Sequence, residues 1–277
     1  MKLMKIINKI PSYILLLIFS IIAIFPIALI LNTSLRNRAD IIQNGPIALP
    51  KVFHFENYVN AWEQGHFLVY YKNSLIITFA TIIGVLVLSL LAAYAFAFLK
   101  FKGKSFWYIL VILGLIVPVE LVVIPTFYNM IFLHLSKTNW VLILPQIAGT
   151  VPFGIFLLRG FMKDLPKELM ESARIDGASE FRIIFNIVTP LVKPALITLL
   201  IFTAMWSWNN FFLPTVLVQR DSLRTVPLGL LFFQSTRLTD FSLIMAGAII
   251  VATPIIVIYL IFQRNLIRGI TAGALKE

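Results

Sequence analysis

The sequence predicts an all-α membrane protein with six transmembrane helices, and two observations carry this prediction. Of the 277 residues, 60% are hydrophobic and 13% are charged, and the mean hydropathy is +0.93, far outside the range of water-soluble domains. The apolar residues are also gathered into runs of about 20 residues, the length that crosses a bilayer core. We therefore expect residues 1–277 to form a single transmembrane domain.

Six apolar runs are long enough to be spans. The first follows three lysines and so resembles a secretory signal, but it has the length of a full span and lacks a cleavage pattern of small residues. We therefore expect it to be retained as a helix. The candidate spans are residues 13–32, 73–98, 106–129, 139–159, 191–213 and 241–262.

The distribution of basic residues predicts that both termini are cytoplasmic. With the N-terminus inside, the inner segments hold 15 of the 23 Lys and Arg residues, although the outer segments are slightly longer in total. The net charge of +11 therefore reflects membrane topology and not a nucleic-acid partner. The inner residues are Lys2, Lys5, Lys9, Lys100, Lys102, Lys104, Arg159, Lys163, Lys167, Arg174, Arg182, Lys193, Arg264, Arg268 and Lys276.

Charge is concentrated in the longest inner loop, residues 160–190, between the fourth and fifth spans. Its stretch "MESARIDGAS", residues 170–179, belongs to a predicted short helix. Asp164 is placed to cap the free N–H groups at the start of this helix, Pro166 suits its first turn, and Gly177 suits its C-terminal stop.

This short helix has a face on which another protein could dock. Leu165, Leu169 and Ala173 recur at four-residue spacing, and Ala173 and Gly177 keep that face free of bulky side chains, so that a partner can approach the backbone. The alternative is an amphipathic helix that lies on the lipid headgroups. Periodicity alone leaves both interpretations open.

The segment "ESARIDGASEFRIIFNIVTP" resembles the EAA loop in the permease subunits of bacterial ATP-binding cassette (ABC) importers. The family pattern is Glu-Ala-Ala, three residues, Gly, nine residues and Ile-x-Leu-Pro; here Ser172 replaces an alanine and Thr189 replaces the leucine. The resemblance implies that the helix docks into a cleft of an ATPase subunit and couples its motion to the spans. The residues that it assigns to coupling are Glu168, Glu171, Ser172, Ala173, Asp176, Gly177 and Pro190.

The ending "RGITAGALK" is similar to the tail of one of the two permease types in the maltose-type carbohydrate-uptake group. Stretches such as "FPIALILNTSLR" and "WNNFFLPTVL" extend the resemblance over nearly the whole chain. The resemblance implies that tail residues contact an ATPase, and these are Arg268, Gly269, Thr271, Gly273 and Lys276.

The same resemblance implies partners: a second, non-identical permease that completes a heterodimer, two ATPase subunits that bind ATP and Mg²⁺, and an extracellular solute-binding protein. The chain itself has no G-x-x-x-x-G-K-[ST] motif, since "KGKS" at 102–105 has Phe98 where the first glycine is required. Cysteine is absent, which excludes thiolate chemistry. We expect the chain to bind no cofactor and no metal, to contact lipid, and to catalyse no reaction.

Glu120 is the one acidic residue predicted inside a span. An intramembrane carboxylate costs about 3 kcal/mol or more unless it faces protein or water. Pro118 and Pro125 flank it and free backbone carbonyls at the same depth, which is tolerated only beside a cavity or a packed neighbour. Glu120 is therefore a candidate for the solute pathway, with a packing role as the alternative.

The stretch "WSWNN" in the fifth span is a second candidate for the pathway. Indole rings and amide groups suit the C–H face and the hydroxyls of a sugar. An aromatic belt at the outer interface explains the tryptophans equally well. The residues concerned are Trp206, Trp208, Asn209 and Asn210.

Together these features predict a permease subunit of an ABC importer in the bacterial cytoplasmic membrane, which moves a sugar delivered by an extracellular binding protein into the cell. An oligosaccharide or another neutral saccharide is favoured, because a carboxylate near the path disfavours an anionic solute. The alternatives are the same type of permease for a polyol or glycerol phosphate, and an ion-coupled secondary transporter. The last usually shows paired intramembrane charges and an internal repeat, and neither is obvious in this sequence.

Overall fold

The computed structural model describes residues 10–233 and 240–274, with side chains for 11–233 and 240–263. Within these ranges the chain is helical and has no strand, which confirms the predicted all-α class. In chain order the helices are α1 Ile10–Ser34, α2 Arg38–Asn44, α3 Glu56–Gln64, α4 Phe67–Phe98, α5 Lys104–Leu113, α6 Val119–Phe132, α7 Trp140–Met162, α8 Lys167–Ile175, α9 Glu180–Arg182, α10 Thr189–Leu191, α11 Lys193–Trp208, α12 Phe212–Leu217, α13 Val226–Gly229 and α14 Phe241–Ala274. A π-helix covers Ile183–Val188, and 3-10 turns cover Asp221–Leu223 and Leu230–Phe233.

Four of the described helices are long and apolar enough to cross a membrane. α1, α4 and α7 coincide with the first, second and fourth predicted spans, and Phe241–Gln263 of α14 coincides with the sixth. The most apolar stretch of α1 contains no buried residue at all. These four helices place the chain among multi-pass membrane proteins.

The third predicted span, residues 106–129, is divided into two shorter helices, α5 and α6. Gly114 caps the end of α5, and Pro118 is the N-cap of α6. A proline forces the residue before it, here Val117, towards an extended backbone, so one helix cannot run through this point. Neither half has the length of a span by itself.

The fifth predicted span, residues 191–213, begins after a sharp bend. The helical segments Glu180–Leu191 and Lys193–Trp208 meet at an angle of 83°. Pro190 and Pro194 lie on the two sides of the bend, and each lacks the N–H group that would continue the helical hydrogen bonds. The direction of α11 is therefore set by two prolines.

The segment just before the bend is the π-helix Ile183–Val188. Such helices are rare and occur mainly near functional sites. The hydroxyl of Thr189 donates a hydrogen bond of 2.8 Å to the carbonyl of Ile184, five residues earlier. Thr189, which departs from the EAA pattern, thus satisfies a carbonyl of the widened turn.

The chain divides into two compact units. In the unit made of Met1–Leu68 and Gly229–Thr253, Arg36 is fully buried at the end of α1. Its guanidinium donates to the carboxylate of Asp40 and, at 2.8 Å, to the carbonyl of Gly45. The hydrogen bond from Arg36 holds the pKa of Asp40 below its usual range.

The other unit, Val69–Leu228 and Pro254–Glu277, has a core in which α4, α7, α8 and α11 meet. Gly154 of α7 lies against both α4 and α11. A Cβ atom at this position would lie 2.2 Å from the Ser89 hydroxyl oxygen and 3.0 Å from a methyl group of Leu199. The close packing of α4 and α11 against α7 therefore requires glycine here.

We expect Gly154→Ala to destabilise the protein by about 1–3 kcal/mol, because overpacking displaces the helices. Gly160→Ala in the same helix is the matched control, since a Cβ there meets nothing within 4 Å. The thermal unfolding midpoint in detergent should fall for the first variant and stay constant for the second. Equal midpoints for the two variants would refute this account of the core.

Candidate functional site

The helix α8 begins later than predicted. Its N-cap is Pro166, whose backbone is extended and which supplies no side-chain hydrogen bond. Asp164 is therefore not the N-cap that the sequence predicted. The helix forms nevertheless, because the run from Lys167 to Ile175 consists mostly of strong helix formers.

The end of α8 agrees with the prediction. Gly177 adopts a left-handed backbone with a φ of 78°. The N–H groups of Gly177 and Ala178 donate to the carbonyls of Arg174 and Ala173 at 3.0 and 2.9 Å. This is a Schellman motif, in which glycine is favoured because it has no Cβ atom.

One face of α8 is buried in the core and the opposite face is exposed. Met170 and Ala173 are buried, whereas Ile175 is 86% exposed although it is apolar. The exposed face of α8 is therefore not covered by this chain and is accessible to another molecule. The outward residues, which we call the exposed ridge, are Glu168, Glu171, Ser172 and Ile175.

The apolar stripe that was predicted as the docking face is oriented differently. Ala173 packs into the core, and Leu165 is partly buried against the same cluster. Leu169 is 43% exposed at the border between the two faces. The small size of Ala173 is thus explained by packing within this chain, and the four-residue spacing identified the inner face of α8 and not its outer one.

Arg174 joins α8 to two other elements. Its guanidinium donates to Glu180 of α9 at 2.7 and 3.2 Å and to the Tyr94 hydroxyl of α4 at 3.2 Å. The Tyr94 hydroxyl also donates to Glu180. The hydrogen bond with Glu180 raises the pKa of Arg174, so the charge is permanent. We call Tyr94, Arg174 and Glu180 the arginine clamp.

The remaining residues assigned to coupling lie at the ends of these elements. Asp176 is the exposed C-cap of α8, and Pro190 lies at the bend before α11. Of the tail residues, Arg268, Gly269, Thr271 and Gly273 fall within the backbone of α14, but their side chains are outside the described part, and Lys276 is outside the described residues altogether.

A cleft of about 450 Å³, which we call the central cleft, lies between the α5–α6 break, α7 and the C-terminal end of α11. Trp206 lines it and is 46% exposed. Its ring stacks on Phe202 at 5.4 Å and meets Phe153 edge-on at 5.0 Å. The lining residues are Gly114, Leu115, Val117, Val119, Val122, Thr126, Pro145, Ala148, Gly149, Phe153, Trp206 and Leu213.

Of the predicted pathway residues, only Trp206 lines the central cleft. Trp208 is buried and contacts the ring of Tyr71 at 5.4 Å. Asn209 ends α11 through its backbone N–H, and the side chain of Asn210 accepts a hydrogen bond from the Leu213 N–H at 3.1 Å, so both residues shape the break before α12. Glu120 is exposed in the first turn of α6, next to cleft residues but not among them.

The sequence indicated a cavity or a packed neighbour near Pro118, but it did not reveal that the third predicted span is divided there or that α7 lines the same cleft. Phe153 belongs to a long apolar run, and its role depends on which helix faces it. The break itself was readable, because "GLIVP" at 114–118 carries a glycine and a proline, and broken helices at membrane depth mark binding sites.

The chain belongs to the family described as "Binding-protein-dependent transport system inner membrane component", which matches residues 85–272. "Probable ABC transporter permease protein YurM" of Bacillus subtilis is 34% identical over 98% of this chain and 89% of the relative. "Arabinooligosaccharides transport system permease protein AraQ" of Halalkalibacterium halodurans is 33% identical over 92% of each chain. "Diacetylchitobiose uptake system permease protein NgcG" of Streptomyces coelicolor is 30% identical over 96% of this chain and 88% of the relative.

A solved structure similar to this chain also belongs to an ABC transporter. It is a bacterial ABC transporter involved in the import of the acidic polysaccharide alginate, with a TM-score of 0.78 and 25% identity over 93% of this chain and 96% of that one. The prediction of a permease subunit of a carbohydrate ABC importer is confirmed. The chain is thus a transport subunit of the cytoplasmic membrane.

The left-handed backbone at Gly177 generates a test. Gly177→Ala should weaken the Schellman motif by about 1–2 kcal/mol, whereas Gly177→Asn should cost less, because asparagine adopts the left-handed conformation more readily. We expect ATP hydrolysis by the assembled transporter to be lower for alanine than for asparagine. The reverse order would show that free space at residue 177, and not its backbone, is what matters.

Proposed function

We propose that this chain couples ATP hydrolysis on a separate ATPase to the opening of a sugar path. The observation that supports this proposal is an unbroken connection from α8 to the central cleft. The exposed ridge lies on α8, the arginine clamp fixes α8 to α9 and α4, and the chain then runs through the π-helix and the bend into α11, which ends at the central cleft. A displacement of α8 is therefore passed to Trp206 through packed helices.

The proposal treats the chain as one transmembrane domain with six crossings. The helices α5 and α6 together form the third crossing, and α11 with the helical segments around it forms the fifth. α8 is then a cytoplasmic coupling helix between the fourth and fifth crossings, and both termini are cytoplasmic. The support is the excess of basic residues on the segments that this arrangement places inside.

Several partners are part of the proposal. The exposed ridge fits a cleft in an ATPase subunit, because a free apolar side chain flanked by carboxylates has no partner of its own among the described residues. A second, non-identical permease supplies the other wall of the path, since α1 exposes its apolar surface and could pack against such a partner. The tail also contacts the ATPase, ATP and Mg²⁺ bind only there, and an extracellular protein delivers the sugar.

We infer that the solute is an oligosaccharide, and a neutral one. The relatives named above include permeases for arabinooligosaccharides and diacetylchitobiose, while the solved structure serves an acidic polysaccharide. The described lining of the central cleft carries no ionisable side chain, and Trp206 offers a flat apolar face for a pyranose ring. Such a lining supports a neutral saccharide.

The topology is testable because the chain has no cysteine. A single cysteine at Ser179 should react with an impermeant thiol reagent only from the cytoplasmic side, and one at Ser222 only from outside. Both residues are exposed. Labelling of intact cells against inverted vesicles distinguishes the two sides, and the opposite pattern would invert the proposed orientation.

The function is tested by reconstitution of this chain with the second, non-identical permease, the ATPase and the binding protein. We expect uptake of a labelled oligosaccharide only when all four are present. Ile175→Asp should reduce ATPase stimulation about thirtyfold, since a docking anchor contributes about 2 kcal/mol. Ile42→Asp in α2 is the matched control, because Ile42 is also exposed, at 71%, on another helix.

Two outcomes would contradict the proposal. Uptake by this chain with an ATPase but no second permease would mean a homodimer. Uptake without any ATPase would indicate an ion-coupled transporter, the alternative class.

A further inference from the structure

A second cleft, of about 540 Å³, lies between α8 and the turn that connects α4 to α5. We call it the basic cleft. One side is the last turn of α4 and the residues after it, and the other side is one face of α8. The charged residues of its lining are Lys100, Lys104, Lys167, Glu171, Arg174 and Glu180.

The charges in the basic cleft do not balance. Arg174 and Glu180 neutralise each other in the arginine clamp. That leaves three lysines, Lys100, Lys104 and Lys167, against the single carboxylate of Glu171. None of the three lysines forms an ion pair with a described residue.

Lys104 shows how closely these cations are crowded. Its ammonium donates to the carbonyls of Leu99 and Ala97 at 2.8 and 3.4 Å, which satisfies the end of α4 and leaves one N–H bond directed elsewhere. The cations Arg159, Lys163 and Lys167 lie close enough to repel the Lys104 ammonium. A bound anion would relieve this repulsion.

Exposed aromatic side chains place the basic cleft beside a bilayer surface. Phe106 is 64% and Trp107 is 51% exposed, directly after the lysines of the turn. Aromatic and basic residues in such proximity are typical of the headgroup level. From Phe106 an exposed apolar stripe continues through Leu110 to Leu113 along α5, where an acyl chain could lie.

We propose that the basic cleft binds the phosphate headgroup of an anionic phospholipid, with Lys100 and Lys167 as its main cationic contacts. The lipid would bridge the α4–α5 turn and α8, and so hold the coupling helix against the membrane. Clusters of lysines next to the cytoplasmic end of a transmembrane helix, such as Lys100 after α4, attract such headgroups. The acidic surface of a protein partner is the competing occupant, and the stripe on α5 favours the lipid.

The test measures lipid binding and does not depend on transport. The purified complex that contains this chain is incorporated into nanodiscs of phosphatidylglycerol and phosphatidylcholine. The lipid that stays bound after release from the nanodiscs is counted by native mass spectrometry. Lys100→Gln with Lys167→Gln should weaken phosphatidylglycerol binding about thirtyfold, the factor for two lysines at about 1 kcal/mol each. Lys102→Gln with Lys137→Gln removes the same charge outside the lining, and binding should stay within about twofold.

Three results would overturn the proposal. Equal retention of phosphatidylglycerol by the two double variants would show that the cleft is not the site. Release of the lipid by millimolar inorganic phosphate would show a site for a free anion. Loss of the ATPase from the first variant, with lipid retention unchanged, would show that the lysines bind protein.

Discussion

The position of α8 depends on the hydrogen bonds of Arg174. The Arg174 and Glu180 side chains are 35% and 43% exposed, so their ion pair contributes at most about 1 kcal/mol to stability. Its effect is geometric, because a planar guanidinium that bonds two carboxylate oxygens and the hydroxyl of the buried Tyr94 fixes the orientation of three elements. Without it, α8 would rest on the core only through Met170 and Ala173.

In the proposed coupling, a fixed orientation of α8 matters because one continuous stretch of the chain joins α8 to α11 and the central cleft. The π-helix and the proline bend leave few torsions free between Glu180 and α11. A flexible loop at this place would absorb a movement of α8 before it reached Trp206. In the proposed coupling, the π-helix and the bend carry a movement of α8 to α11, and the hydrogen bond of Thr189 stabilises the widened turn between them.

Much of the fold could be predicted from the sequence, because hydropathy and length report directly on partition into a bilayer. α1, α4, α7 and α14 were predicted in this way. The end of α8 at Gly177 was predicted separately, from the preference for glycine after a helix. The division of the third span at Gly114–Pro118 was missed, because an apolar window averages over one or two prolines; the bend at Val192 lies at the predicted start of the fifth span, residue 191, but its sharpness was not predicted. The prediction of which face of α8 is exposed was also wrong. Ala173 and Ile175 are both apolar, and only tertiary packing decides which of them is buried.

The first helix follows a different rule from the rest of the chain. No residue in the most apolar stretch of α1 is buried, and α1 lies before the residues 85–272 that match the family. Within this chain, its sequence is therefore constrained by hydrophobicity and not by packing, because none of these residues is buried against the rest of the chain; only the second permease proposed above would impose a fit there. Isoleucine, leucine and phenylalanine could be shuffled within this stretch without loss of the fold, whereas one methyl group added at Gly154 is resisted by its neighbours.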